Sequence, residues 1–294
     1  MRDSTRESPA QHSVNARVFR ALPASLSIGT RGSPLALWQA EHVRDRLAAH
    51  HGPDRGAASL KVITTSGDRI QDKPLADFGG KGLFTKEIDE ALLQGDIALA
   101  VHSMKDLPTQ LPDGLCLAAV LPRADVRDTF LSPVAPSLAA LPEGAVVGTS
   151  SLRRSAQVKR ARPDLRVIDF RGNVQTRLRK LAEGVADATL LAKAGLDRLD
   201  LAEAATSVLS VEDMLPAVAQ GAIGIVTRTN DAETRAVLEP LNDTMTEVAV
   251  RCERAFLAEL DGSCRTPIAG LAAIEDGAIR FRGLILSPDG AEWH

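Results

Sequence analysis

Short apolar runs alternate with amphipathic stretches along most of this chain, and the alternation predicts an α/β fold. In the first part the predicted strands are 26–30, 60–65, 97–101 and 115–121, and the predicted helices are 34–49 and 85–94. Ser33 is a favourable N-cap, Pro34 occupies the preferred first helical position, and Gly95 suits the residue after a helix end. These signals define where the first strands pass into helices.

The middle of the chain shows the same alternation more compactly. Strands are predicted at 145–149, 166–170 and 188–192, with helices at 151–162 and 174–183 between them, so parallel strands with right-handed crossovers are expected. A loop and strand at 216–228 is predicted to return to the first unit, and helices are predicted at 231–241 and 247–260. Apolar spacing in the last helix predicts that Val248, Cys252 and Phe256 share its buried face.

Two crossings between units predict two lobes around a cleft. The alternating charges of 123–128 interrupt the apolar pattern and suit a hinge. We divide the chain into a disordered extension (1–24), a discontinuous first domain (25–122 with 217–239), a second domain (123–216) and a third domain (240–294).

Composition narrows the classes of function. A net charge of -3, 3% aromatic residues and no tyrosine argue against a nucleic-acid binder. The three cysteines have unrelated spacings, which predicts neither a disulfide framework nor a zinc site and favours a reducing compartment. No apolar run reaches the ~18 residues of a membrane span, and the first residues lack the apolar core of a secretory signal. We therefore expect a cytoplasmic protein.

Candidate chemistry begins where the strand at 97–101 ends. The chain continues as His-Ser-Met-Lys-Asp-Leu-Pro, which places Lys105 and Asp106 at the edge of the predicted sheet, where open α/β folds bind ligands. An ordinary solvated charge pair is the alternative interpretation.

Basic residues follow several other strand ends. Arg31 precedes a helix whose free amides favour an anion, although it is also compatible with an ordinary turn. Arg153 and Arg154 lie in the first turn of a helix capped by Ser150 or Ser151, where the helix dipole already disfavours cations. A bound anion, phosphate or carboxylate, would offset this cost, and a solvated basic face is the alternative. Arg171 and Arg177 repeat the pattern one strand later, on the same side of the sheet.

Two further segments carry candidate chemistry. The glycine-punctuated stretch 66–83 is not a P-loop and is predicted to be a mobile lid anchored by apolar residues, with a plain surface loop as the alternative. Cys264 lies in a predicted turn beside Arg265, where exposure and a neighbouring cation lower a thiol pKa, although no histidine is near and an inert thiol is also possible. Cys116 and Cys252 are predicted to be core residues.

Taken together, these sequence motifs resemble those of the porphobilinogen deaminase (hydroxymethylbilane synthase) family, from about residue 26 to near the end of the chain. The matching blocks, in the family's order, are 30–40, 78–84, 102–108, 149–154, 170–177 and 262–268, with further matches at 193–196 and 220–222. The resemblance implies two lobes like type II periplasmic binding proteins and a small third domain with an open-faced antiparallel sheet.

The resemblance also implies an activity and a site. Such an enzyme joins four porphobilinogen units head to tail, releases ammonia at each step, and frees hydroxymethylbilane for tetrapyrrole biosynthesis. It implies a catalytic role for Asp106 and a dipyrromethane cofactor bound through a thioether to Cys264. The implied cofactor contacts are Lys105, Ser151, Arg153, Arg154, Arg171 and Arg177. The implied substrate contacts are Arg31, Ser33, Phe84, Ser103, Arg171 and Arg177, and Lys81 belongs to the lid.

In that chemistry a carboxylate stabilises the azafulvene-like cation left by ammonia, and guanidinium groups hold the acetate and propionate arms. We expect a monomer that binds no metal, nucleic acid or membrane. The chain ends soon after 287–290, where family members continue, so a shortened third domain is expected. The alternative function is a non-catalytic two-lobed binding protein for an anionic small molecule, which would have no use for Cys264.

Overall fold

A computed structural model describes residues 26–52, 58–69, 82–260 and 266–294. The elements before the first crossing are β1 (Ser27–Thr30), α1 (Pro34–His51), β2 (Ser59–Val62), α2 (Ser66–Arg69), α3 (Lys86–Gln94), β3 (Leu99–Ser103) and β4 (Leu115–Val120). Those of the middle part are β5 (Asp128–Leu131), β6 (Val146–Gly148), α4 (Leu152–Ala161), β7 (Arg166–Ile168), α5 (Val174–Ala182), β8 (Ala188–Ala192), α6 (Lys193–Arg198) and β9 (Ser207–Val208). The last are β10 (Ile223–Arg228), α7 (Ala232–Leu238), α8 (Thr244–Glu259), β11 (Ile268–Glu275) and β12 (Ala278–Ile285).

Two five-stranded sheets of the same design form the two lobes. The first has the order β2-β1-β3-β10-β4 and the second the order β7-β6-β8-β5-β9. In each sheet three strands are parallel and the remaining two join by antiparallel pairing. Because β10 returns to the first sheet after the second is complete, the chain crosses between the lobes twice, as predicted.

Helices cover both faces of the first sheet. Val43 and Leu47 of α1 are fully buried in one apolar cluster with Val101 of β3, and Ile88 and Leu92 of α3 are buried in a second cluster on the other face. Successive side chains of β3 point to opposite faces of the sheet, so the apolar residues of this strand are buried in both clusters. This double burial fixes where β3 ends and therefore where the following polar residues lie.

The two crossing segments lie side by side at the hinge. Ala124 N donates to Gly221 O at 3.2 Å, and Gly221 has a φ of 87°. A Cβ atom at Gly221 would lie 2.6 Å from the Ala124 carbonyl oxygen, so only glycine allows this close approach. Arg198 of α6 also donates to Gly221 O at 2.6 Å, which ties the second lobe to the crossing.

The third part consists of α8 packed against the antiparallel pair β11–β12. The predicted buried face of α8 was wrong, because Val248 is 37% exposed and Cys252 is only partly buried. The buried face carries Thr246, Ala249, Val250 and Glu253 instead. Apolar spacing misplaced this face because Glu253, a carboxylate, is wholly buried as an ion-pair partner.

Glu253 joins the third part to both crossing segments. Its carboxylate accepts from Arg123 Nη1 at 2.6 Å and Nη2 at 3.0 Å, from Ala219 N at 2.6 Å, and from Ala272 N at 2.8 Å. Both oxygens of the buried Glu253 carboxylate therefore accept hydrogen bonds, as a buried charge requires.

Three smaller predictions also differ from the structure. Residues 66–69, predicted to be loop, form the short helix α2, and β5 begins at Asp128, the last residue of the predicted hinge. Cys116 is partly rather than fully buried, because it lies on β4 near the edge of its sheet. Within the described ranges, none of the helices combines the length and apolar character needed to cross a membrane.

Candidate active site

The end of β3 presents Lys105 and Asp106 at the edge of the first sheet, as the sequence predicted. Met104, Lys105 and Asp106 form one turn of 3-10 helix, which Leu107 N closes by donating to Met104 O at 3.2 Å. Met104 is 1% exposed and anchors the turn, whereas Lys105 and Asp106 are exposed. The buried anchor thus leaves two charged residues exposed at the edge of the sheet.

Lys105 lies among charges from both lobes. Desolvation of the Lys105 ammonium by the surrounding protein and the positive charge of Arg154 lower the pKa of Lys105 to about 8, and the charges of Asp106 and Asp128 oppose this change. The residue nevertheless remains accessible to solvent, as a group that contacts a ligand must be. Lys105 therefore keeps its charge near pH 7 but loses it above about pH 8.

Arg31, predicted to contact substrate, lines a cavity together with Asp106 and is held in place by two neighbours. Its Nε donates to Asp68 Oδ1 at 3.1 Å and Oδ2 at 3.3 Å, and Nη2 also contacts Asp68. Its guanidinium carbon lies 4.2 Å from the centroid of the Phe84 ring. Asp68 belongs to α2, so this short helix fixes the orientation of Arg31.

The predicted serines have supporting roles. Ser33 Oγ caps α1 by accepting from Ala36 N at 3.3 Å. Ser103 Oγ accepts from Gln39 Nε2 at 2.9 Å, and Gln39 is 2% exposed. A cavity of about 60 Å³ brings four of the six predicted substrate residues together with Asp106, namely Arg31, Ser33, Phe84 and Ser103, whereas Arg171 and Arg177 are not in its lining.

Arg153 and Arg154 are both only 5% exposed, which the sequence did not predict. Arg153 Nη2 lies 2.7 Å from Asp128 Oδ2, and Arg154 Nη2 donates to Asp128 Oδ1 at 2.8 Å. Nη1 of each arginine donates to a backbone carbonyl, that of Leu215 or Leu190, at 2.8 Å. The anion that offsets the unfavourable first turn of α4 is thus a carboxylate of the chain itself.

Asp128 is wholly buried at the start of β5 and also accepts from Gln220 Nε2 at 2.8 Å. Burial alone would raise the pKa of Asp128, but the charges of Arg153 and Arg154 hold that pKa well below its ordinary value. Because Gln220 belongs to the second crossing, Asp128 connects the two arginines to the hinge.

Arg177, on α5, completes the basic cluster. Burial and the positive charge of Arg154 lower the pKa of Arg177 to about 10, while Asp169 and Asp106 oppose this, so both lobes contribute charges around it. Ser151 Oγ accepts from Arg154 N at 3.4 Å and so caps α4. Arg171 is partly buried in the turn before α5, and its charge also lowers the pKa of Arg177.

Three buried guanidinium nitrogens keep unused donors. Nε of Arg153, Arg154 and Arg177 has no hydrogen-bond partner among the described residues. Buried donors of this kind are rare unless a ligand or water completes them. The cluster of Lys105, Arg153, Arg154 and Arg177 can therefore bind the carboxylates of an anionic ligand beside Asp106.

Two predicted residues, Lys81 and Cys264, lie outside the described residues. Sequence reasoning missed Asp68, Asp128 and Gln39, which position the predicted ones. The only signal for Asp128 was indirect, since two arginines in a first helical turn required a nearby anion. A second and larger cavity, of about 660 Å³, lies between α4 and β12, away from Asp106.

Comparisons with known proteins place the chain in a family. Two family models match the chain: "Porphobilinogen deaminase, dipyromethane cofactor binding domain" over residues 26–236, and "Porphobilinogen deaminase, C-terminal domain" over residues 248–293. The first match contains every described residue of the predicted site.

Several curated proteins are similar over most of their length. Chloroplastic porphobilinogen deaminase of Oryza sativa subsp. japonica is 61% identical over 269 residues, which cover 90% of this chain and 75% of the rice protein. Porphobilinogen deaminase of Nitrobacter winogradskyi is 60% identical over 268 residues, covering 91% of this chain and 85% of that protein. The Paracoccus denitrificans enzyme is 55% identical over 267 residues, or 91% and 85% of the two chains.

Solved structures that resemble this one include two binding proteins. The methionine-binding protein MetQ has a TM-score of 0.47 at 14% identity and covers 81% of this chain and 96% of its own. A periplasmic substrate-binding protein of an ABC transporter from Coxiella burnetii has a TM-score of 0.45 at 12% identity, covering 81% and 98%.

Proposed function

Because this chain belongs to the porphobilinogen deaminase family, we propose that the cleft between its lobes carries out the family's reaction with Asp106 as the catalytic carboxylate. The enzyme is a transferase of tetrapyrrole biosynthesis that joins four porphobilinogen units head to tail, releasing ammonia and hydroxymethylbilane. The observation that carries the assignment of the cleft is the meeting of Asp106 with Lys105, Arg154 and Arg177, contributed by both lobes.

The basic cluster fits the dipyrromethane cofactor of the family. The acetate and propionate arms of a dipyrromethane are carboxylates, and the unused Nε donors of Arg153, Arg154 and Arg177 are buried beside the cleft. Lys105 adds a point charge and Arg171 a further guanidinium, while Ser151 holds the start of α4 in place. We assign covalent attachment to Cys264, which lies outside the described residues. When bound, dipyrromethane supplies the primer to which porphobilinogen units are added.

Asp106 supplies the negative charge at the reacting centre. Loss of ammonia leaves positive charge on the substrate's methylene carbon and pyrrole ring, and a fixed carboxylate beside them lowers the energy of that state. The same carboxylate can accept a pyrrole N–H hydrogen bond or a proton. The buried Met104 keeps the turn that carries Asp106 rigid, so the carboxylate needs little reorganisation during the reaction.

Residues that line the cavity beside Asp106 hold the substrate. Arg31 is fixed by Asp68 and by the Phe84 ring, and its remaining donors suit a substrate carboxylate. Ser33 and Ser103 line the same cavity and provide hydroxyl groups. Each arm of porphobilinogen thus meets a cation while the reacting carbon faces Asp106.

The domain division, the localisation, the oligomeric state and the absence of other partners are also proposals. We infer the three-domain division given above, supported by the two separate sheets and the α8–β11–β12 unit. Action as a cytoplasmic monomer without nucleic-acid or membrane partners also stays a prediction. The alternative, a non-catalytic binding protein, is not favoured, because relatives at 55–61% identity are named as the enzyme.

Replacing the carboxylate tests the assignment of the cleft. Asp106→Asn should retain the fold and the bound cofactor but lower kcat for porphobilinogen consumption by about a hundredfold or more, since the charge opposite the developing cation is lost. Asp113→Asn, an exposed carboxylate on the following loop, is the matched control and should retain activity. A folded, cofactor-loaded Asp106→Asn enzyme with near-normal kcat would remove Asp106 from the mechanism.

A further inference from the structure

The small cavity beside Asp106 contains buried acceptors that the account above does not use. Two of its lining residues, Thr85 and His102, are only 1% and 6% exposed. Neither Thr85 Oγ1 nor His102 Nε2 makes a hydrogen bond of normal geometry to any residue that the structure describes. Buried polar atoms are normally completed, so two of them around one cavity point to a ligand group that donates hydrogen bonds.

His102 is suited to accept a hydrogen bond. Burial and the positive charge of Arg31 lower the pKa of His102 to about 4, so the imidazole is neutral near pH 7. A neutral imidazole carries one acceptor nitrogen, whereas a protonated one carries none. His102 pairs with Gly224 in the β3–β10 ladder, which fixes the backbone from which the ring extends.

Thr85 is equally available. It is the N-cap residue of α3, yet its side chain makes no capping bond. The Asp89 carboxyl lies one turn along α3; burial raises its pKa to about 6, and the Thr85 hydroxyl opposes that rise. The hydroxyl proton can therefore point towards Asp89, which leaves the oxygen lone pairs free to accept from a donor in the cavity.

Charge and size narrow the ligand group further. Asp106 contributes a negative charge to the cavity lining, while the positive charge of Arg31 is matched by its paired Asp68. A volume of about 60 Å³ is roughly twice the share of one water molecule in the liquid, ~30 Å³. This space is large enough for a small group such as an aminomethyl group.

We propose that this cavity receives the aminomethyl group of porphobilinogen and the ammonia that leaves it, with Thr85 Oγ1 and His102 Nε2 accepting its N–H groups beside the Asp106 carboxylate. The proposal rests on the function proposed above and adds two substrate-positioning residues to it. During the reaction the C–N bond breaks and its electron pair remains on nitrogen, so a protonated amine leaves as ammonia. A carbon–carbon bond to the growing chain replaces it, and the pyrrole carbon of the chain that attacks the methylene carbon releases one proton, which the Asp106 carboxylate can accept.

Binding of a small amine to the purified, cofactor-loaded enzyme tests the proposal without turnover. Methylammonium chloride should shift the side-chain ¹⁵N signals of His102, identified by their absence in His102→Gln, whereas tetramethylammonium chloride, which has no N–H, should not. A spectrum of His102 that responds equally to both salts, or to neither at saturating concentration, would overturn the proposal.

Matched variants provide a second and independent measurement. Thr85→Val keeps the shape but removes the acceptor, and should lower kcat/KM for porphobilinogen by about tenfold to a hundredfold, as expected for one lost hydrogen bond to a charged group. Thr85→Ser should recover most of that loss because it keeps the hydroxyl. Equal kcat/KM for the Val and Ser variants would contradict the proposal.

Failure of the proposed function can be distinguished from failure of the proposed amine cavity. If wild-type enzyme loaded with cofactor produced no hydroxymethylbilane, the proposed function itself would be wrong. Normal wild-type turnover, together with an unresponsive His102 and a fully active Thr85→Val enzyme, would refute only the amine cavity.

Discussion

Removing the charge of Asp128 should destabilise the second lobe strongly. In Asp128→Asn the guanidinium groups of Arg153 and Arg154 stay buried but lose the carboxylate that lies 2.7 and 2.8 Å from them. Each pair contributes about 4 kcal/mol of gross attraction at an effective dielectric constant of 20. Part of this is offset because the variant no longer desolvates a carboxylate, so the net loss expected from broken buried pairs is about 3–5 kcal/mol.

The pH dependence of that loss has a definite sign. Because the arginines hold the pKa of Asp128 below its ordinary value in the folded state, its stabilising effect is complete above the unfolded pKa of about 3.9. It disappears as the pH falls through the folded pKa. The stability difference between wild type and Asp128→Asn should therefore be constant above about pH 5 and narrow in stronger acid.

Urea unfolding followed by far-ultraviolet circular dichroism measures this difference across the pH range. Asp164→Asn is a suitable control, since Asp164 pairs with Arg162 at 2.6 Å but both side chains are partly exposed, and its loss should be far smaller. If Asp128→Asn lost less than about 1 kcal/mol at pH 7, or if the difference grew in acid, the role assigned to Asp128 would be wrong.

Three further substitutions follow from the same contacts. Arg153→Leu should lower the free energy of unfolding by about 3 kcal/mol or more in a denaturant titration, because it leaves the buried Asp128 carboxylate with one of its two cations; an unchanged or higher stability would show that the pair is not structural. Glu253→Gln should cost about 3–5 kcal/mol and loosen the third part from the hinge, measured by amide hydrogen exchange around Arg123. Asp89→Asn should raise stability at pH 8 by on the order of 2 kcal/mol, because a raised folded pKa of about 6 makes the charged form unfavourable above that pH; the gain should vanish below about pH 4.

Most of the fold could be predicted from local sequence signals. Ser33 and Ser151 cap the helices at which they were predicted, and Gly95 ends α3 in the left-handed conformation. The parallel pairing of β6 with its two neighbours also follows the predicted strand–helix alternation. These features depend on residues close in sequence, so a single chain is enough to predict them.

What the sequence did not predict depends on contacts between different elements. At the start of α4 it indicated a bound anion, which stays a prediction, but it did not identify Asp128 of β5 as a carboxylate that lies there. The buried face of α8 was predicted from apolar spacing, whereas Glu253 is buried because Arg123 reaches it. In both cases an ion pair formed only by tertiary closure overrides a local pattern.

The intact mass of the purified protein tests the central claim most directly. The account expects wild-type protein, supplied with porphobilinogen or hydroxymethylbilane where needed, to be heavier than the 294-residue chain by one dipyrromethane. Cys264→Ala should lack that added mass, while Cys116→Ala and Cys252→Ala should keep it. An unmodified wild-type mass after such treatment, or an adduct that persists in Cys264→Ala, would contradict the assignment.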